Sequence, residues 1–214
     1  MSAGALAGGA ASGRPAPEAT VAKATVSGIV LAAGAGSRMG RPKAGILIEG
    51  VSLLQRAVVL LATGGCDEIV AVVRPGRDSG SVSGARLVPN PDADSGMASS
   101  LRVGLDAVTD GACVVILVDQ YGITSADIAA VIDSYRAGSR VVVARRGGRR
   151  SHPVLFERTV FTALRETLAA DEGARAFIDR NPELVTYLEL ADVVGDLDTP
   201  ADLAAYEGLG RLRA

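Results

Sequence analysis

The run Ala112-Cys-Val-Val-Ile-Leu-Val118 constrains this chain most, because it holds no charged or strongly polar side chain. Alternate side chains of a strand point to opposite faces of its sheet, so a strand apolar throughout must be covered on both. Val26–Leu31 and Glu68–Val73 read as further buried strands. Helical punctuation fills the intervals: Ser52 is placed to cap a helix to about Thr63, closed by Gly64-Gly65, and Leu101, Leu105 and Val108 share one face of a helix from Met97.

Further helices are expected at 125–136, 158–169 and 172–180, with a last one capped by Thr199 and opened by Pro200. Short strands are expected at 46–48, 86–88, 140–144, 154–156 and 185–190. This alternation predicts a three-layer α/β/α, Rossmann-like domain with a mostly parallel sheet and one antiparallel insertion near 151–156. Residues 1–24, rich in Ala, Gly, Ser and Pro, predict a disordered tail, leaving 25–214 as one domain.

Composition removes several function classes. A net charge of −2 with no dense Lys/Arg face offers no site for nucleic acid. No apolar segment is long enough for a signal peptide or a membrane span, so a cytoplasmic protein without a membrane partner is expected. His152 is the only histidine, which excludes a Cys/His zinc cluster for Cys66 and Cys113 and leaves both as expected reduced thiols.

The first strand breaks into Ala33-Gly-Ala-Gly-Ser-Arg-Met-Gly-Arg-Pro-Lys43. Gly34, Gly36 and Gly40 permit positive φ and close backbone approach, so successive N–H groups can face one concavity. Arg38, Arg41 and Lys43 add positive charge beside them, which suits phosphate. The P-loop pattern fails, because Gly40 precedes Arg41-Pro42 and Lys43 precedes Ala44. The dinucleotide fingerprint fails at Met39 and at Arg74, which stands where an acid would end the second strand. An arginine there suits a 2′-phosphate, so an NADP-binding domain is the alternative.

Ligands of open α/β sheets sit at the carboxyl ends of the strands. The glycine loop, Asp94–Ser100, Asp119-Gln120 and 145–152 each follow an expected strand and are therefore expected at one edge. Asp119, fixed at the end of a buried strand opposite a phosphate loop, is the expected ligand of Mg²⁺, a hard ion that takes carboxylate and phosphate oxygens. Asp196 and Asp198 share one face of an extended segment. Asp196 is expected to complete the metal site and Asp198 to help cap the last helix. Ser99 and Ser100 open a helix suited to an anion or a ribose, with Ser95 as its simple cap. His152 follows four arginines in the 145–150 segment. Without a Ser/His/Asp or Cys/His arrangement, in-line attack at phosphorus is the chemistry these groups suit.

Taken together, Leu31–Lys43, Asn90–Ser100, Asp119-Gln120, His152-Pro153, Asp171–Arg175 and Asp196-Leu-Asp-Thr-Pro200 resemble, in order, the motifs of MobA-like nucleotidyltransferases. Within that group they are most similar to the molybdenum cofactor cytidylyltransferases. The resemblance implies that the phosphate of molybdopterin attacks the α-phosphate of a nucleoside triphosphate and that pyrophosphate leaves. It implies Arg38, Lys43 and Asp119 as catalytic residues, and Leu31, Ala32, Ala33, Gly34, Gly36, Ser37, Lys43, Asn90, Ser99 and Ser100 around the nucleotide. It places Gln120, His152 and Arg175 toward the acceptor, Asp119 with Asp196 on Mg²⁺, and allows contact with a molybdoenzyme or its chaperone. Leu-Ala-Ala-Gly resembles the cytidylyl branch and Leu-Ala-Gly-Gly the guanylyl branch, so Ala33 implies CTP over GTP. Alternatives are another phosphorylated acceptor, guanylyl transfer, or a nucleotide-binding protein without turnover. Tyr121, Ser151 and Ala170 depart from the family's Pro, Gly and Gly, and all three are expected toward the acceptor.

Overall fold

The computed structural model describes residues 25–76, 82–109, 111–169, 173–191 and 195–211, with side chains of the last helix described through residue 206. The expected tail and Ala170 lie outside these residues. In chain order the elements are β1 (Val26–Ala32), β2 (Leu47–Ile48), β3 (Val51–Ser52), α1 (Leu53–Thr63), β4 (Glu68–Val73), β5 (Arg86–Pro89), α2 (Met97–Ala107) and β6 (Ala112–Leu117). There follow β7 (Gln120–Tyr121), α3 (Ser125–Arg136), β8 (Val141–Arg146), β9 (Arg149–Glu157), α4 (Phe161–Thr167), α5 (Arg175–Arg180), β10 (Val185–Glu189), β11 (Gly195–Asp196) and α6 (Pro200–Arg211).

Seven strands form one sheet in the order β10-β8-β9-β6-β1-β4-β5. Only β9 runs against its neighbours, pairing antiparallel with both β6 and β8. The expected antiparallel insertion is therefore present but longer than expected. The Gly147-Gly148 turn, with both residues at positive φ, folds the chain straight from β8 into β9. The apolar run at 112–118 sits mid-sheet, and its residues divide between two cores. Val114 and Ile116 face the side covered by α1 and α3, whereas Cys113 and Val115 face the side of α2 and α4. Gly28 and Gly104 show how tightly the layers approach. A methyl on Gly28 would press on Leu61 of α1, and one on Gly104 would press on Ile29 of β1.

Ser52 caps α1 as expected, whereas α2 has Gly96 at its N-cap and no side-chain cap from the expected Ser95. Ser52 Oγ accepts from the Gln55 N–H at 3.1 Å. Thr124 and Asp127 form a reciprocal capping box on α3. The expected helix at 158–169 is shorter, because Arg158–Val160 is a 3-10 turn and α4 begins at Phe161. The start expected at 172 lies outside the described residues, and α5 begins at Arg175. Among the described residues no helix is long and apolar enough to cross a membrane. The thiols are free, Cys113 buried in β6 and Cys66 just past α1. Burial pushes the Cys66 thiol up to about 12, with Asp67 adding to the rise.

Candidate active site

The glycine loop leaves β1 at the carboxyl edge of the sheet. Gly36 adopts φ 65° and ψ 35°, and a side chain there would run into the Arg41 carbonyl, so no other residue fits. Gly40 is also left-handed, at φ 72°. Gly34 is not among the positive-φ residues, contrary to expectation, and a methyl there meets no atom within 4 Å. Its smallness keeps the cleft open rather than permitting a turn.

A cleft of about 420 Å³ runs past this loop, lined by Leu31, Ala33, Ser37, Arg38, Lys43, Ser100 and Asp119 among others. Ala32, expected beside the nucleotide, points the other way into the core on the α1 side, because strand residues alternate. Asn90 and Ser99 are also buried behind the lining. The Asn90 amide donates to Ser99 Oγ at 2.9 Å and Ser100 Oγ at 3.0 Å, and its oxygen accepts the Asp92 N–H. Ser99 Oγ donates to the Asp92 and Gly96 carbonyls. These two residues spend their polar groups holding the 90–100 loop in shape, and Ser100 alone of the three reaches the cleft.

Arg74 sits at the cleft's far end. Its Nε donates to the Ala33 carbonyl at 3.1 Å, and Nη2 meets Asp94 Oδ1 at 2.9 Å. The Asp94 pairing holds that arginine above its ordinary range and Asp94 below its own. Both groups escape sequence reading, since Arg74 suggested a 2′-phosphate ligand and instead buttresses the backbone at Ala33.

At the near end Lys43 Nζ lies 2.7 Å from Asp119 Oδ2 and 2.7 Å from Asp198 Oδ1. Arg38 Nη2 reaches the same Asp198 oxygen at 3.0 Å. Burial works to lower the Lys43 pKa, but the two carboxylates outweigh it and hold the ammonium above its usual range. Lys43 in turn holds Asp198 below the usual carboxylate range. Position is fixed by backbone: the Val118 N–H donates to the Leu31 carbonyl at 3.2 Å, and the Leu197 N–H to the Asp119 carbonyl at 2.9 Å. The ribbon of β7 and β11 pairs Gln120 with Asp196 and Tyr121 with Gly195.

Asp198 is therefore not the cap it was expected to be. Thr199 and Asp202 cap α6 reciprocally, and Asp198 contributes only a backbone N–H to Asp202. Asp196 pairs with Gln120 across the β7–β11 ribbon, and the Gln120 side chain hydrogen-bonds its carboxyl. Loss of water around its carboxyl raises its pKa, and Asp119 and Asp198 add to the rise.

A second cleft, of about 530 Å³, begins where the first stops. Gln120, His152 and Arg175 all line it, as expected of acceptor residues, together with Asp196 and Met97. Arg146, Arg149 and Arg150 line it as well. Their clustering was visible in sequence, but their direction depends on the β8–β9 hairpin. Arg146 is committed to Asp127 at 2.9 Å and to the Ala191 carbonyl, and Arg150 to Asp179 at 2.6 Å. Burial pushes the His152 imidazole down to about 4, against a smaller upward pull from Asp119. Tyr121 turns away from this cleft, contrary to expectation. Its ring covers Gly195, where a side chain would collide with it, and stands 5.0 Å from the Tyr206 ring of α6.

A nucleotide-sized cleft lined by a glycine loop and Asp119, with a basic cleft sharing Met97 with it, has the layout of a nucleotidyltransferase, where two anionic substrates meet over one phosphorus. Known proteins agree. Residues 28–185 match the MobA-like NTP transferase domain, and the chain belongs to that family. It is 34% identical over 180 residues to nicotine blue oxidoreductase of Paenarthrobacter nicotinovorans, covering 78% of this chain and 88% of that protein. It is 28% identical to molybdenum cofactor guanylyltransferase of Rhodobacter capsulatus, covering 85% and 95%. A manganese complex of Rv0371c from Mycobacterium tuberculosis H37Rv superposes with a TM-score of 0.72 at 26% identity, covering 86% and 98%.

Proposed function

We propose that this chain is a divalent-metal-dependent cytidylyltransferase that joins CMP from CTP to the phosphate of molybdopterin, releasing pyrophosphate. The observation that carries the reading is the pair of carboxylates, Asp119 and Asp198, held around Lys43 beside the glycine-loop cleft, with Met97 lining both that cleft and the arginine cleft. Backbone N–H groups of the loop, with Arg38 and Lys43, would neutralise the triphosphate. Arg149, Arg175 and neutral His152 would orient the acceptor so that its phosphate oxygen lies in line with the bond that breaks.

The donor set suits Mg²⁺, which accepts one or two carboxylates and completes its shell with phosphate oxygens and water. Among the described residues no three acidic, His or Cys side chains converge as a metal cage. Asp119 would be the principal ligand, with Asp198 or Asp196 beside it. When bound, the ion would withdraw charge from the α-phosphate and make its phosphorus more electrophilic.

The base preference rests on Ala33, which is buried against the cleft with its carbonyl fixed by Arg74. Its methyl narrows the base end toward a pyrimidine. Guanylyl transfer is the second reading, favoured by the guanylyltransferase relatives. A dinucleotide-dependent oxidoreductase is a third, favoured by the relative of that name. Pyrophosphate release with molybdopterin, measured with CTP and with GTP, decides the first two. The expected result is turnover with CTP at least tenfold above that with GTP, and the reverse ratio overturns the assignment. Saturable binding of NADPH without either triphosphate would support the third reading.

A further inference from the structure

Asp119 and Asp198, the carboxylates beside the glycine-loop cleft, already hold a cation. Lys43 Nζ makes two contacts of 2.7 Å, one to Asp119 and one to Asp198, and its side chain is only 14% exposed. Those carboxylates come from distant parts of the chain and are set in place by backbone bonds that do not involve Lys43. The segments that carry the two carboxylates are thus placed independently of the ammonium. A divalent ion bridging them would need the same lone pairs at about 2.1 Å. The ammonium and the ion therefore exclude one another, by space and by like charge.

We propose that Lys43 is a built-in placeholder for the metal, so that the ion is taken up only together with the nucleoside triphosphate. The inference rests on the metal-dependent reading above and specifies its order of binding. A free ion meets two carboxylates that are already neutralised, and no further His, Cys, Asp or Glu completes a cage among the described residues. An ion carried on a triphosphate brings its own oxygen ligands. It also brings the anion to which the displaced ammonium can swing, because Lys43 lines the same cleft as the glycine loop. The exchange keeps every charge paired: the ion replaces Lys43 on the carboxylates, and the phosphates replace the carboxylates on Lys43.

The test is Mn²⁺ binding without nucleotide, followed by electron paramagnetic resonance, in the wild type, Lys43→Met, Lys43→Gln and the double variant Lys43→Met/Asp119→Asn. The expected result is no saturation of the wild type below millimolar Mn²⁺. Each single variant should bind one equivalent at a concentration at least tenfold lower, and the double variant should lose that gain. Equal Mn²⁺ affinity in the wild type and the Lys43 variants overturns the proposal. So does tight stoichiometric binding by the wild type alone, which needs no variant to fold. A parallel calorimetric titration of α,β-methylene-CTP, with and without Mn²⁺, isolates the underlying reading. If Mn²⁺ leaves that affinity unchanged, metal dependence itself has failed and the placeholder falls with it.

Discussion

At the residue scale, Asp119 shows how one side chain is made special by its address. It follows directly on the apolar run of β6, so its backbone is fixed, yet it faces a cleft. Replacing Asp119 by Ala leaves Lys43 paired with Asp198, so no buried charge is orphaned. The expected outcome is a loss of turnover of about 10²–10³-fold or more with thermal stability changed by no more than about 1 kcal/mol. Single-turnover pyrophosphate release and a melting curve measure the two effects separately, and full activity in this variant sinks the assignment. The place of Asp119 beside the glycine loop was legible in sequence, because it follows a buried strand next to that of the loop. That of Asp198 was not, because an Asp before Thr-Pro reads equally well as a helix cap. Only the β7–β11 ribbon, two residues on each side, turns it toward Lys43.

At the element scale, the last helix is attached to the site through aromatic contact. Tyr206 packs on Tyr121, and Tyr121 covers the glycine of β11 from which Asp196 and Asp198 follow. Replacing Tyr206 by Ala should cost about 1 kcal/mol of stability, a fall of roughly 2–4 °C in Tm for a domain of this size. It should also lower kcat/KM severalfold, because the segment carrying Asp198 loosens. Calorimetry together with steady-state kinetics checks this, and a stability loss with unchanged kinetics would separate α6 from the site. The strands themselves were legible, since unbroken apolar runs admit few other folds. Helix ends at 158 and 175 were less so, because short helices there take their limits from packing against the sheet rather than from caps. Tyr121 was the departure hardest to place from sequence. Its backbone adjoins Gln120, which lines the second cleft, but a strand turns neighbouring side chains to opposite sides.

At the scale of the whole molecule, His152 couples the second cleft to global stability. Its imidazole titrates near 4 in the folded chain and near 6.5 when unfolded. Between those values the unfolded chain takes up a proton that the folded chain refuses, so stability falls as pH drops from about 6.5 toward 4. Replacing His152 by Asn should flatten that part of the profile. Urea midpoints at pH 7 and pH 5 test this, since the difference between the two should shrink in the variant. An unchanged difference assigns the acid sensitivity to carboxylates instead. The layers of the molecule were readable from strand alternation, and so were the antiparallel insertion and the gathering of the site loops at one sheet edge; the full length of β9, which runs from Arg149, was not.

The placing of the two clefts along the chain carries a consequence for how such a protein diversifies. The lining of the first cleft ends in the chain at Asp119, whereas the second, apart from Met97, is drawn from Gln120 onward. On the function proposed above, one peptide bond separates the half that would hold the nucleotide from the half that would hold the acceptor. Substitutions in the β8–β9 hairpin and in α5 would then retune what is accepted while the nucleotide half is left unaltered. New acceptors would then arise from substitutions confined to the second cleft, with the glycine-loop cleft left as it stands.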